Sequence, residues 1–165
     1  MTSGNFLAID FETANQSRDS ACSIGLVRVE NNIIVHKSVH LIRPPSRDFR
    51  FTYVHGISWN DVARSPTFDE VWENISQYFS GVGFIAAHNA TFDAGVLKAC
   101  CERYNIAGPQ LPFTCTMQLA RKKWNLRPTK LSDVCRYLNI ELNHHEALSD
   151  AHACAQIIIA SEDCN

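Results

Sequence analysis

Two acidic side chains in an otherwise apolar strand constrain this chain more than any other feature of its sequence. Asp10 and Glu12 lie in the run FLAIDFET, which has the composition of a buried β-strand. An ionised carboxylate is rarely buried without a partner, because removing an unpaired charge from water is costly. No lysine or arginine lies in or directly beside this run. The sequence therefore predicts that a cation from outside the chain, such as a bound metal ion, neutralises the two acids.

The composition is that of one compact globular domain. The chain has 165 residues, of which 45% are hydrophobic and 19% charged, so a single core over residues 1–165 accounts for its size. No basic and apolar leader precedes the first strand, and no apolar run is long enough to cross a bilayer. Seven cysteines without a CxxC pair are typical of buried free thiols. We therefore expect a cytoplasmic protein without disulfides.

The net charge of −2 argues against a protein that coats nucleic acid nonspecifically, because such proteins normally carry a basic excess. It does not exclude a nucleic-acid enzyme. Where several acids hold divalent cations, the loaded site is neutral or positive, and only a local basic patch is needed beside it.

The order of predicted elements indicates an α/β fold. Strands come first, and helices alternate with strands afterwards, which predicts a mixed sheet with an antiparallel hairpin beside parallel strands and helices on its faces. The hairpin joins its strands through Asn31 and Asn32. The predicted strands are 6–12, 22–30, 33–42, 84–88 and 113–115, and the predicted helices are 65–79, 91–104, 116–124, 130–138 and 149–159.

Acidic residues fall where these elements meet. Side chains alternate along a strand, so Asp10 and Glu12 point to the same face, roughly 7 Å apart at the backbone. Two carboxylates on one face repel each other unless a cation lies between them. Asp93 follows the point where a strand ends and a helix begins, which is where α/β proteins place ligand groups.

A second polar group stands at the start of the last helix. Asp150 lies in its predicted first turn, with Ser149 as the expected cap, and His145 lies in the loop that approaches it. We expect these residues to converge with the three other acids at one edge of the sheet.

Carboxylate oxygens are the ligands of hard cations such as Mg²⁺ or Mn²⁺. Two such ions about 4 Å apart can activate a water molecule and stabilise the leaving oxygen of a phosphodiester. A histidine that titrates near neutral pH is then suited to be the general base for the water. The predicted reaction class is metal-assisted phosphodiester hydrolysis.

Three segments resemble, in order, the three motifs of the DEDDh (DnaQ-like) exonuclease family, whose best-known members are the proofreading subunits of bacterial replicative polymerases. They are Asp10–Thr13 (DFET), His88–Asp93 (HNATFD) and His145–Ala151 (HEALSDA). His55–Ile57 (HGI) and Ser65–Phe68 (SPTF) resemble the segment that members carry between the first and second motifs. Together these matches span nearly the whole chain.

The resemblance implies an RNase H-like fold and 3′-to-5′ removal of nucleotides as 5′-monophosphates. By position, Asp10 would bridge two metal ions, and Glu12 and Asp150 would hold the ion on the side of the nucleophile. Asp93 would hold the other ion partly through water, and His145 would be the general base. His144 is adjacent, but only His145 has the four-residue gap to Asp150 that the motif requires.

The resemblance also implies a set of residues that contact the terminal nucleotide. They are the backbone of Thr13 and Ala14, the residues His55 and Ile57, and Asn89 and Phe92 beside the second motif. The chain departs from the family where an Asp-Thr pair is common after the second motif, since Cys115-Thr116 stands there instead. This departure affects only an expected structural contact.

Alternatives remain open for the individual residues. Taken alone, Asp93 or Asp150 is an acid that complements the dipole of a helix start, and His145 is an ordinary loop histidine. The histidines and cysteines near the C-terminus invite a zinc interpretation, which the absence of paired ligand knuckles disfavours. The basic cluster of Arg121, Lys122, Lys123, Arg127 and Lys130 is a solvated surface or a path for a phosphate backbone beside Trp124.

Alternatives also remain for the function. We expect single-stranded DNA as the substrate, but an RNA exonuclease that trims transfer RNA or short oligoribonucleotides would have the same motifs. A nucleic-acid-binding module without turnover is the third possibility. The sequence leaves the polymerase or repair partner and the oligomeric state open.

Overall fold

The computed structural model describes residues 4–163. Its centre is a five-stranded mixed sheet with the strand order β3-β2-β1-β4-β5. Strand β1 pairs antiparallel with β2 and parallel with β4, and β5 is parallel to β4. The strands are β1 (Phe6–Thr13), β2 (Ala21–Glu30), β3 (Ile33–Leu41), β4 (Phe84–Ala87) and β5 (Phe113–Cys115). The predicted mixed sheet with an antiparallel hairpin is confirmed.

The hairpin turn also has the predicted chemistry. Asn31 and Asn32 both have a positive φ, of 51° and 63°, which asparagine tolerates and which fits the twist of two paired strands.

Within residues 4–163, seven helices connect and cover these strands. They are α1 (Thr52–His55), α2 (Trp59–Val62), α3 (Phe68–Ile75), α4 (Ala90–Arg103), α5 (Thr116–Trp124), α6 (Leu131–Leu138) and α7 (Ala147–Glu162). A 3₁₀ turn over Ser76–Phe79 continues α3 and completes the predicted helix 65–79 in a tighter form. The short helices α1 and α2 lie in a stretch for which the sequence predicted no regular structure.

The last helix begins earlier than predicted. It starts at Ala147, so Ser149 lies inside its first turn and is not the cap. The Ser149 hydroxyl oxygen instead accepts a hydrogen bond of 2.8 Å from the backbone amide of Asn143 in the preceding loop. The expectation that Ser149 caps the helix was wrong, because the loop competes for the same side chain.

Two hydrophobic cores lie on opposite faces of the sheet. On one face, α3 and α4 pack against β1, β2 and β4 around Phe68, Ile75 and Val96. On the other face, α5, α6 and α7 pack around Phe6 and Ile157. Because β1 is covered on both faces, its residues are apolar on both sides, which explains the apolar run around the two acids.

No helix within residues 4–163 combines the length and the apolar character needed to cross a membrane.

Candidate active site

Three of the predicted acids meet at the carboxyl end of β1. Ligand oxygens of Asp10 and Glu12 lie within 4.8 Å of each other and of a carboxylate oxygen of Asp150, which the first turn of α7 supplies. Glu12 and Asp150 are buried, and Asp10 is partly buried. The predicted convergence of β1 and the last helix is therefore observed.

A glycine in β2 allows α7 to approach this closely. Gly25 is the residue opposite Asp10 in the β1–β2 register. A Cβ atom at Gly25 would lie 2.2 Å from the carbonyl oxygen of Ala147, the first residue of α7. The helix therefore begins in direct contact with the backbone of the sheet. Sequence reasoning did not identify Gly25, although an isolated glycine inside a strand is a signal of close backbone approach.

The fourth acid belongs to the same cluster through a different contact. Strand β1 pairs with β4 only from Phe6 to Ala8, so its later residues have no strand on that side. The carboxylate of Asp93, in the first turn of α4, accepts a hydrogen bond of 2.9 Å from the amide of Phe11. Asp93 is thus buried beside the two β1 acids, and its carboxylate accepts the hydrogen bond of an amide that has no strand partner on that side. We call Asp10, Glu12, Asp93 and Asp150 the carboxylate cluster.

Burial raises the pKa of every member of the carboxylate cluster, and mutual repulsion adds to the shift of Asp10, Glu12 and Asp93, whereas the neighbouring His144 and His145 oppose the shift of Asp150. Burial raises the pKa of Glu12 to about 8, and the charges of Asp150 and Asp93 add to this effect. Burial raises the pKa of Asp93 to about 7, although the hydrogen bond from Phe11 opposes the shift. Burial is also the main cause of the raised pKa of Asp10, and the charges of Asp93, Asp150 and Glu12 raise that pKa further. Burial is the main cause of the raised pKa of Asp150 as well.

The donor set fits a divalent cation. The Oδ2 atom of Asp10 is buried without a hydrogen-bond partner, which is unusual for a carboxylate oxygen in a folded protein. Within residues 4–163, no lysine or arginine forms an ion pair with any member of the carboxylate cluster. Three carboxylate oxygens within 4.8 Å of one another are the kind of ligands that Mg²⁺ and Mn²⁺ prefer. An ion there would satisfy the orphaned oxygen and relieve the repulsion.

Two adjacent histidines border the carboxylate cluster. The backbone amide of His145 donates a hydrogen bond of 3.2 Å to Asp150, and the imidazole of His145 is exposed. The Nδ1 atom of His144 lies 3.3 Å from Asp150 and its ring stacks on that of His145, with centroids 3.7 Å apart. Partial desolvation lowers the pKa of His145, and the neighbouring His144 lowers it further. A neutral imidazole is therefore available beside the acids at neutral pH.

The residues expected to contact a nucleotide lie on two sides of the carboxylate cluster. On one side, His55 donates a hydrogen bond of 2.9 Å from Nε2 to the carbonyl of Thr13, and its Nδ1 accepts one of 3.1 Å from the amide of Ile57. The backbone of Ala14 is occupied within the protein, since its amide donates to Ser20 and its carbonyl accepts from two other amides. Ala14 is also completely buried, so its side chain is not exposed to a nucleotide either.

His55 and Ile57 line a cleft of about 400 Å³ together with His144 and His145. On the other side, Asn89 and Phe92 are exposed beside the first turn of α4. Asn89 has a positive φ of 62° and directly precedes that helix.

His88 has a structural role that sequence reasoning did not find. Its Nε2 donates a hydrogen bond of 2.9 Å to the carbonyl of Thr129, and its Nδ1 lies 2.8 Å from the hydroxyl of Thr116. Thr116 is the threonine of the Cys115-Thr116 pair, and it is completely buried. The second motif is therefore tied to the loop between α5 and α6 through one imidazole.

The fold and the carboxylate cluster define the class of DEDDh exonucleases. The family model for exonucleases (RNase_T) matches residues 7–158. The chain therefore belongs to the exonuclease family.

Two relatives and one solved structure illustrate this likeness. A PolC-type DNA polymerase III of Clostridium perfringens is 33% identical over 160 residues, which are 93% of this chain and 11% of that protein. Exodeoxyribonuclease 10 of Escherichia coli K12 is 30% identical over 162 residues, which are 92% of this chain and 66% of that protein. The structure of exonuclease X in complex with 5′ overhanging duplex DNA superposes with a TM-score of 0.78 at 26% identity, covering 96% of this chain and 91% of that one. The RNase H-like exonuclease fold is confirmed.

The chain spans about a tenth of the length of the PolC-type polymerase. Divalent metal ions are general in this family, and the carboxylate cluster has the ligands for them.

Proposed function

We propose that this chain is a 3′-to-5′ exonuclease that requires Mg²⁺ or Mn²⁺ and releases nucleoside 5′-monophosphates from single-stranded nucleic acid. One observation carries the proposal above all others. Asp10, Glu12 and Asp150 bring ligand oxygens within 4.8 Å around an orphaned Asp10 Oδ2. A protein without a cation to bind would gain nothing from this repulsive arrangement.

Each residue of the carboxylate cluster has a proposed role. Asp10, Glu12 and Asp150 would hold the ion on the side of the nucleophile, and Asp10 with Asp93 would hold the second. When bound, such ions lower the pKa of a water molecule and neutralise the charge that develops on the phosphate. The protein contributes rigid placement, because β1, α4 and α7 each fix one part of the ligand set.

His145 is the proposed general base. Its pKa is lowered, so the imidazole is neutral and can accept the proton of the attacking water. The hydrogen bond from its own backbone amide to Asp150 keeps the loop beside the carboxylate cluster. The leaving 3′-oxygen takes up a proton from solvent, which completes the hydrolysis.

DNA is the proposed substrate. The exodeoxyribonuclease of Escherichia coli and the exonuclease X structure with DNA support this choice. The PolC-type relative supports a polymerase as a partner, although the match covers 11% of that protein. We further propose that the chain forms one domain and works in the cytoplasm, where the six described cysteines, all unpaired, would stay reduced.

A side-by-side digestion tests the proposal. Matched single-stranded DNA, duplex DNA and RNA, each labelled at the 5′ end, are incubated with Mg²⁺ or with EDTA. We expect a ladder that shortens from the 3′ end, released mononucleotides, fastest loss of single-stranded DNA and no reaction in EDTA. An Asp150→Ala variant should be inactive yet folded. Full activity of that variant would contradict the assignment, and binding without turnover in the unchanged protein would favour the silent module.

The base assignment has its own test. His145→Gln should slow the chemical step by about 10²- to 10⁴-fold, because the general base is lost. His144→Gln is the matched control, since its ring stacks on His145 but lacks the spacing of the motif. A larger loss in the His144 variant would move the base to that residue. The measurement is single-turnover release of the terminal nucleotide.

A further inference from the structure

The loop between α5 and α6 forms a cleft of about 410 Å³ beside the second motif. Three exposed cationic side chains line it: Arg121, Arg127 and Lys130. No acidic side chain lies among its lining residues, and no ion pair within residues 4–163 involves any of the three cations. The chain as a whole has a net charge of −2, so this concentration of positive charge is local. We call this cleft the cationic groove.

The cationic groove is preformed. At its floor lies the buried Thr129, whose hydroxyl accepts a hydrogen bond of 2.8 Å from Arg121 Nε and whose carbonyl accepts the bond of 2.9 Å from His88. These two contacts fix the loop from both sides, so the positive ends of Arg127 and Lys130 project from an ordered backbone. A groove whose backbone is already ordered loses less entropy when it binds an anion than a flexible loop does.

The groove adjoins the carboxylate cluster through the second motif. Both His88 and Asn89 line it, and Asn89 directly precedes α4, the helix that carries Asp93. A polymer that ends at the carboxylate cluster therefore has a cationic surface next to it. The sequence placed Trp124 beside this surface, but the Trp124 ring packs against Tyr137, with centroids 6.2 Å apart, and does not line the groove. The groove is therefore positively charged but has no Phe, Tyr or Trp among its lining residues on which a base could stack.

We propose that the cationic groove binds backbone phosphates of the nucleic-acid strand next to the nucleotide being removed. This inference rests on the proposed function, and it assigns the basic segment the role of binding the strand without recognising its bases. Contacts to phosphates position a strand without specifying its sequence, and their strength falls as salt rises. The groove would therefore favour substrates several nucleotides long over very short ones.

The test compares a long and a small substrate. Arg127→Gln and Lys130→Gln, alone and together, remove charge while leaving the bonds of Thr129 intact. Lys98→Gln is the matched control, because it removes one exposed charge from the C-terminal half of α4, outside the groove. The substrates are a single-stranded oligothymidylate and the p-nitrophenyl ester of thymidine 5′-monophosphate, which is too small to reach the groove.

We expect the ratio of kcat/KM for the oligonucleotide to that for the ester to fall by about twofold to fivefold for each charge removed. The slope of log kcat/KM against log salt for the oligonucleotide should become flatter by about 0.7 for each phosphate that the variant no longer neutralises. Lys98→Gln should change neither quantity. An unchanged ratio and slope in the double variant, or the same changes in Lys98→Gln, would overturn the proposal.

A binding measurement separates this inference from the proposed function. Fluorescence anisotropy of a labelled oligothymidylate in EDTA reports binding without turnover. If the unchanged protein has no nuclease activity but binds the probe with a salt slope that the double variant flattens, the catalytic assignment fails and the groove stands. If the protein is an active nuclease and the double variant binds with the unchanged affinity and slope, the groove assignment fails alone.

Discussion

The carboxylate cluster and the cationic groove lie at the same end of β4, yet the fold holds their charges in opposite ways. In the cluster, like charges are buried together, their pKa values are raised, and Asp10 keeps an oxygen without a partner. In the groove, the charged ends are exposed, and the polar groups beneath them, at Thr129 and His88, are hydrogen-bonded. The difference indicates that the cluster needs a bound cation to relieve its repulsion, whereas the groove is stable without a ligand.

The largest effect should come from Asp10→Asn, because this substitution removes one of the like charges that are buried together in the carboxylate cluster. We expect nuclease activity to fall at least about 10³-fold, because a central ligand is lost. The metal-free variant should nevertheless be more stable than the unchanged protein by roughly 1–2 kcal/mol at pH 8.5, because one repelling charge is gone. The measurements are turnover with Mg²⁺ and thermal unfolding in EDTA.

The gain in stability should depend on pH. The pKa of Glu12 is raised from 4.5 to about 8 and that of Asp93 from 3.8 to about 7, so the folded protein holds protons that the unfolded chain releases. The stability that this provides is complete below about pH 4 and is lost as the pH rises through 7 to 8. The advantage of Asp10→Asn should therefore shrink at pH 5. A variant that is less stable than the unchanged protein at pH 8.5 would show that Asp10 is not held under repulsion.

The second effect concerns the backbone beneath the carboxylate cluster. Gly25→Ala should lower the free energy of unfolding by about 2 kcal/mol, because its Cβ would collide with the carbonyl of Ala147 and push the start of α7 away. Activity should fall as well, since Asp150 moves with that helix. Val39→Ala, opposite Gly25 in the β2–β3 register, is the control that alters the same face without a collision. Chemical denaturation and turnover measure the two effects, and a stable, fully active Gly25→Ala protein would disprove the close contact.

The smallest effect should come from the groove. Thr129→Val removes the hydroxyl that accepts from Arg121 and should destabilise the protein by about 1 kcal/mol at every pH from 5 to 8.5. Thr129→Ser keeps the hydroxyl and serves as the control. The change in stability is opposite in sign to that expected for Asp10→Asn, because Thr129→Val removes a hydrogen bond that is formed in the folded protein. Stabilisation by Thr129→Val would show that the groove is strained in the same manner as the cluster.

Much of this architecture could be predicted from the sequence because its signals are local. The alternation along β1 placed Asp10 and Glu12 on one face, and helical spacing placed Asp93 and Asp150 in first turns. The three motifs then identified the family. Competition for a local hydrogen bond misled the prediction at Ser149, whose hydroxyl belongs to the loop before α7.

The contacts that assemble the site join distant parts of the chain and left no local signal. The amide of Phe11 and the carboxylate of Asp93 are 82 positions apart, and His88 and Thr129 are 41 apart. Neither partner of these pairs indicates the other by composition or spacing. They depend on how far each strand extends and where each helix begins, which only the packed structure determines.

The hydrogen bond between Phe11 and Asp93 constrains how many residues can separate the end of β4 from the acid of the second motif. Strand β1 runs on past its last pair with β4 at Ala8, and the acid of α4 closes the exposed edge of that overhang. One residue inserted in the first turn of α4, between Ala90 and Asp93, would turn the carboxylate about 100° around the helix axis and leave the amide of Phe11 without a partner. A descendant of this chain that lost catalysis but kept the overhanging strand would therefore still need the acid, so Asp93 by itself is weaker proof of an active enzyme than Asp10.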